Sequence, residues 1–240
     1  MIEPMTKNYL QPVCLLLCLV SLSARAVDTW QDALSQMRLG TTVTELNETN
    51  CVKLMLPAFQ SNDVVKALIF MPGAWDEFYM FHRARASLTN ASPTLLDAVN
   101  ALTNQTYIRA TFRRPMLLLH TDEDPLEPII IVKDLPTANR LEAKPFVPHM
   151  LYMDRDYDFL FPILRKELRL WISPPLHSRA SFHFYRHSFA AWDLNSWDAL
   201  EAMALAGKTK ITIEHKHLIF EGDARMMAPP KLDHINFMAH

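Results

Sequence analysis

One segment of this chain occurs twice, and the repeat constrains the fold more than any other feature. Asp97-Ala98-Val99-Asn100-Ala101-Leu102 is matched by Asp198-Ala199-Leu200-Glu201-Ala202-Met203. Each is followed by an alternating stretch and then a short apolar run. In the first copy these are Tyr107-Ile108-Arg109-Ala110-Thr111 and Met116-Leu117-Leu118-Leu119; in the second, Ile211-Thr212-Ile213 and Leu218-Ile219-Phe220. Self-similarity of this kind speaks to architecture. It predicts an α+β fold made of two small helix–β-hairpin units, an internal duplication, preceded by a helical N-terminal segment. It carries no information about activity.

The pass along the chain fills in this frame. Trp30, Ala33, Leu34 and Met37 predict a helix capped by Thr29 and stopped by Gly40. Val52, Met55, Leu56 and Phe59 have helical spacing, against the interior Pro57. The first α+β unit occupies 63–121. It opens on an apolar strand, Val64 to Met71, and a second strand is predicted over Asp76 to Phe81. Ser92-Pro93 opens the helix, with Ser92 as cap, and a hairpin turns around Arg113–Pro115. The stretch 122–178 carries eight prolines and reads as a connector with some structure: a strand at Ile129–Val132 and a helix near Pro162–Leu170. The second unit, 179–223, has an alternating strand at Ser181–Phe189, a helix capped by Ser196 and closed by Gly207, and a hairpin turning at His215–Lys216. Residues 224–240 read as a flexible tail.

The N-terminus reads as a secretory signal. Lys7 precedes an apolar run from Val13 to Leu22, and Ala24-Arg25-Ala26 is a cleavage sequence. Ten residues, nine of them apolar, fall short of the ~20 that span a bilayer. Cleavage after Ala26 would leave Val27 as the first residue and no transmembrane segment. It would also remove Cys14 and Cys18, leaving Cys51 without a disulfide partner and best placed in a core. The expected location is the periplasm or the extracellular space, and the missing disulfide framework favours the former.

The net charge is −2, and no basic tract exceeds Arg113-Arg114, so nucleic-acid binding has no electrostatic support. Only four glycines occur, and phosphate-cradling loops need several close together. The chain therefore contains no P-loop, dinucleotide fingerprint or G-x-S-x-G elbow.

Candidate metal ligands fall in two places. Asp154, Asp156 and Asp158 alternate as a calcium loop begins, but Phe159 stands where that loop needs glycine and Arg165 where it needs glutamate. His177, His183 and His187 form a spaced histidine set, and on a strand His183 and His187 would point the same way. Asp122-Glu123-Asp124 and Trp75-Asp76-Glu77 read more simply as solvated turns than as catalytic pairs. No catalytic residue, cofactor or metal is assigned. Phe184, Tyr185, Trp192 and Trp197 are the interface candidates, because aromatic residues anchor both cores and interfaces.

Residues Asn195 to Met203, with Lys210–Ile213 and Leu218–Glu221, resemble the small modules at the N-termini of bacterial secretins and TonB-dependent transducers. Residues 92–121 carry a weaker copy. The resemblance implies a periplasmic module that docks to other proteins or to itself, although no barrel or pore-forming segment accompanies it. The expected function is a non-catalytic protein-interaction module of the cell envelope, with an envelope protein or a second copy as partner. The alternative is a small secreted hydrolase or metal-dependent enzyme using the middle segment and the region around His177, His183 and His187.

Overall fold

The computed structural model describes residues 30–39, 44–47, 50, 53–54, 63–71, 84–121, 127–146, 149–155, 160–173 and 187–223. The expectations for the signal segment, Cys51, the strand at Asp76–Phe81, residues 181–186 and the C-terminal tail lie outside these. The class is α+β. A helical stretch at 30–36 precedes β1 (Glu45–Leu46), β2 (Ala67–Met71), β3 (Ala86–Ser87), α1 (Leu95–Gln105), β4 (Arg109–Arg113) and β5 (Met116–His120). Then come β6 (Ile130–Val132), α2 (Leu135–Ala143), β7 (His149–Arg155), α3 (Leu160–Leu168) and β8 (Trp171–Ser173). β9 (His187–Trp192), α4 (Ser196–Ala206), β10 (Thr209–Glu214) and β11 (His217–Gly222) complete the order.

The duplication reaches further than the sequence suggests. β1, β2, β3, α1, β4 and β5 correspond in order to β7, β8, β9, α4, β10 and β11. Their pairings correspond too. β1·β3 and β7·β9 are antiparallel, β2·β5 and β8·β11 are parallel, and β4·β5 and β10·β11 are antiparallel hairpins. The same backbone clasp closes both halves. Leu39 N–H donates to Pro93 O at 2.9 Å and Leu95 N–H to Met37 O at 2.7 Å. In the second half Phe146 N–H donates to Leu194 O at 2.9 Å and Ser196 N–H to Lys144 O at 2.8 Å. Each clasp joins the residues after a helix, 30–36 or α2, to the head of α1 or α4.

Stretch 122–178, expected as a connector with some structure, carries more of it than the strand and helix foreseen. It supplies β6, α2, β7, α3 and β8, which are the second half's own scaffold. Two prolines of this stretch sit where helices tolerate them, Pro162 as expected. Pro136 is in the first turn of α2 behind the cap Asp134, and Pro162 is in the first turn of α3. Two predicted caps also move. Thr94, not Ser92, caps α1, and Asn195, not Ser196, caps α4. In both cases the side chain one residue before the first helical turn reaches the third amide of the helix.

The halves are joined by β9, which lies between β7 and β2. The resulting five-stranded sheet has the order β4-β5-β2-β9-β7. Central strands β2 and β5 are buried on both faces and read as unbroken apolar runs, as interior parallel pairs do. Leu68, Phe70, Leu117 and Leu119 point to one core, with Leu95, Val99 and Leu102 of α1. Trp30 stacks on Phe112 at 5.7 Å and ties the 30–36 helix to that side. Ala67, Ile69, Met116 and Leu118 point to the second core, which contains Leu200 and Met203 of α4.

Beyond that core lies the four-stranded sheet, in the order β6-β10-β11-β8. Its inward residues Ile211, Ile213, Leu218 and Phe220 are fully buried against α4, as the repeat predicts. Helix α4 also contacts β2, so it sits between the two sheets. That position explains its composition. Ala199, Ala202, Ala204 and Ala206 are buried with Leu200, Met203 and Leu205, so the helix is apolar nearly all round, as a helix enclosed by protein must be.

Candidate functional site

Two places carry exposed or perturbed chemistry. The first is the outer face of the four-stranded sheet. Strand register puts Ile131, Thr212, Ile219 and Ser173 in one cross-strand row, and Glu214, His217 and Trp171 in the next. Trp171 is 67% exposed and Ile131 39%. Ion pairs rim the row: Lys210–Glu221 at 3.0 Å and Lys133–Glu214 at 3.0 Å. The Lys133 hydrogen bond holds the Glu214 carboxyl below its ordinary pKa, so it stays charged at the margin. An apolar centre with a charged rim is the anatomy of a protein contact. The five-stranded sheet has both of its faces in cores; among the described residues only the inner face of this one lines a core.

The second is a cleft of about 480 Å³ at the head of α4, lined by Asp63, Lys66, Arg114, Asp193, Asn195 and Asp198 among others. Lys66 Nζ lies 3.2 Å from Asp193 Oδ2. Here the duplicated positions have diverged. In the first half, the Asp97 carboxylate accepts from Thr94 N–H at 2.8 Å, Thr94 Oγ1 at 2.8 Å and Asn90 Nδ2 at 3.2 Å. The Thr94 amide does most to hold its pKa below the usual carboxylate value. In the second half Asn195 Oδ1 accepts from Asp198 N–H at 2.7 Å, and the Asn195 side chain only partly offsets the burial of the Asp198 carboxyl. Asp198 is half-buried, and desolvation pushes its pKa up, against the nearby Lys66.

Glu201, one turn on, is also raised by burial. It accepts from Trp197 Nε1 at 3.0 Å, and Arg113 lies 3.8 Å away. Asp198 and Glu201 rise from one helix at a spacing of three residues. They share a face, whereas acid–base pairs act from opposite sides of a substrate. The arrangement can hold protons and salt-bridge partners.

The aromatic residues predicted for an interface are distributed unevenly. Trp192 is half-buried against the first core and Trp197 against the second, so both serve packing. Phe184 and Tyr185 lie outside the described residues. So do His177, His183, Asp156 and Asp158 and the side chains of Asp154, which lies in β7, and His187, which opens β9. Among the described residues no cluster of three His, Cys, Asp or Glu side chains is placed to hold a metal ion. Trp171, the most exposed large hydrophobic residue among the described ones, is not among the interface candidates. Its signal is the alternation Leu170 buried, Trp171 exposed, Ile172 buried, just before Pro174-Pro175.

Compared with protein-family models, curated proteins and solved structures, the chain has no match in any of the three.

Proposed function

We propose that the protein is an exported, non-catalytic interaction module of the cell envelope, similar in kind to the docking modules of secretins and TonB-dependent transducers. The observation that carries the reading is the outer face of the four-stranded sheet, which lines no core among the described residues. It presents Trp171 at 67% exposure on edge strand β8, in the row of Glu214 and His217. Tryptophan is the side chain most enriched among the residues that dominate binding energy, because it buries much area at little entropic cost. The charge–apolar–small order of residues 7–26 supports export. No helix among the described residues is long and apolar enough to cross a membrane.

Affinity capture from envelope extract tests the reading. Wild-type protein should retain a partner at fixed stoichiometry, or a second copy of itself. Trp171→Ala with Ile131→Asp should lose it while melting unchanged. An identical captured set from both proteins would remove the sheet face from consideration. Stoichiometric zinc or calcium in untagged protein would instead favour the enzyme reading.

A further inference from the structure

A second surface carries charge that the described residues answer only in part. Arg140, Lys144, Lys166 and Arg169 line one groove of about 720 Å³ with Glu167 and Leu168. Helices α2 and α3 both end there. Basic residues in a last helical turn oppose the negative end of the helix dipole, and this accounts for each cation taken singly. It does not account for bringing two such ends together. Four cations then repel one another across one groove, in a chain whose net charge is −2. Among the described lining residues only the Glu167 carboxylate opposes them. Among the described residues none of the four enters an ion pair, although Lys66, Arg85, Arg113, Lys133 and Lys210 all do.

The positions are fixed by the fold. The Lys144 carbonyl accepts from both Ser196 N–H at 2.8 Å and Ser196 Oγ at 2.9 Å, which anchors that wall to the head of α4. Arg169 follows α3 at φ 55°, the left-handed position that terminates helices. Its N–H donates to Arg165 O at 3.0 Å.

We propose that this groove docks a carboxylate-rich segment of a partner protein. The inference rests on the interaction-module reading and names the chemistry of its partner. Compact phosphate sites use helix N-termini and backbone amides. Here the helices present their C-terminal ends, and the donors are four long side chains spread over an open groove. Such an arrangement matches an extended chain with spaced carboxylates better than a single compact anion.

The test uses the full chain and a fluorescein-labelled octaglutamate peptide, read by fluorescence anisotropy. Binding should weaken roughly tenfold between about 50 and about 300 mM salt, as screening shortens the reach of the cations. Arg140→Glu with Lys166→Glu should weaken it by roughly tenfold or more, whereas the charge-matched Lys53→Glu with Arg109→Glu, at exposed positions outside both surfaces, should change it less than about twofold. Should the first double variant fail to give a wild-type circular dichroism spectrum, Arg140→Gln with Lys166→Gln is read in its place. The proposal is overturned if the peptide does not bind, or if both double variants lose it equally. It is overturned too if inorganic pyrophosphate displaces the peptide stoichiometrically, or if the groove variants lose binding only to phosphatidylglycerol vesicles. Partner capture through Trp171 that survives any of these results would leave the module reading standing without this groove.

Discussion

Asp97 and Asp198 occupy the same position in two copies of one helix, yet their surroundings drive their protons in opposite directions. Asp97 has a lowered pKa in the folded state. Its stabilising contribution is present above the unfolded value of 3.8 and is lost as pH falls through the lower folded value. Asp198 has a raised pKa, so the folded protein holds that proton more tightly than the unfolded chain does. Its ionisation costs stability as pH rises from 3.8 through the raised folded value. Urea denaturation over this range should separate the two. Asp97→Ala should lose about 1 kcal/mol at neutral pH, as broken helix caps do, and the loss should shrink in acid. Asp198→Asn should gain stability at neutral pH and match wild type in acid. Equal and pH-independent effects would mean the two sites are not differentiated. The sequence shows both carboxylates but not their difference. Capping is local and readable, whereas the desolvation of Asp198 comes from a cleft assembled with Lys66 and Arg114, far away in the chain.

At the scale of elements, the helix–hairpin units are the legible part. Gly207 and Lys208 join α4 to β10, and so short a link leaves the helix little choice of partner. Leu200→Ala should therefore cost ~2–5 kcal/mol as a core deletion. Trp171→Ala, on the open face, should stay within about 0.5 kcal/mol. Chemical denaturation of the two variants decides it, and a Leu200→Ala protein as stable as wild type would contradict the packing of α4. What the sequence hides is lateral pairing. Nothing in Val64–Met71 announces that its neighbours are β5 and β9, because strand order is set by contacts distant in sequence. Edge protection is hidden for the same reason. Gln105 covers β3, its Nε2 donating to Ser87 O at 2.9 Å and its Oε1 accepting from Ser87 N–H at 2.8 Å. Arg165 Nη2 donates to Ile172 O at 3.1 Å on β8. These side chains satisfy backbone groups that would otherwise recruit a foreign strand.

Over the whole molecule, duplication does not produce two independent bodies. β9 pairs with β7 of its own half and with β2 of the other, and α4 fills the space between the sheets. Heat or urea should therefore unfold the described fold in a single cooperative step. Residues 1–121 expressed alone should be insoluble or unfolded, because the edge of β2 and one apolar face of its sheet would be bare. Co-expression of 122–240 should restore a soluble 1:1 complex, visible by size-exclusion chromatography. Two separated transitions, or a soluble and folded first half, would show that β9 is dispensable to its neighbour.

The strand shared between the halves also bears on how such a protein can change over generations. Two copies that merely sit side by side remain free to drift, and either can be deleted. Once one copy lends a strand to the other, a truncation that removes the lender disables the borrower. The exchange acts as a ratchet: ancestry as a duplicate is preserved in the element order, while the route back to a single copy is closed. Divergence is then confined to positions outside the shared seam, such as the carboxylates at the two helix heads.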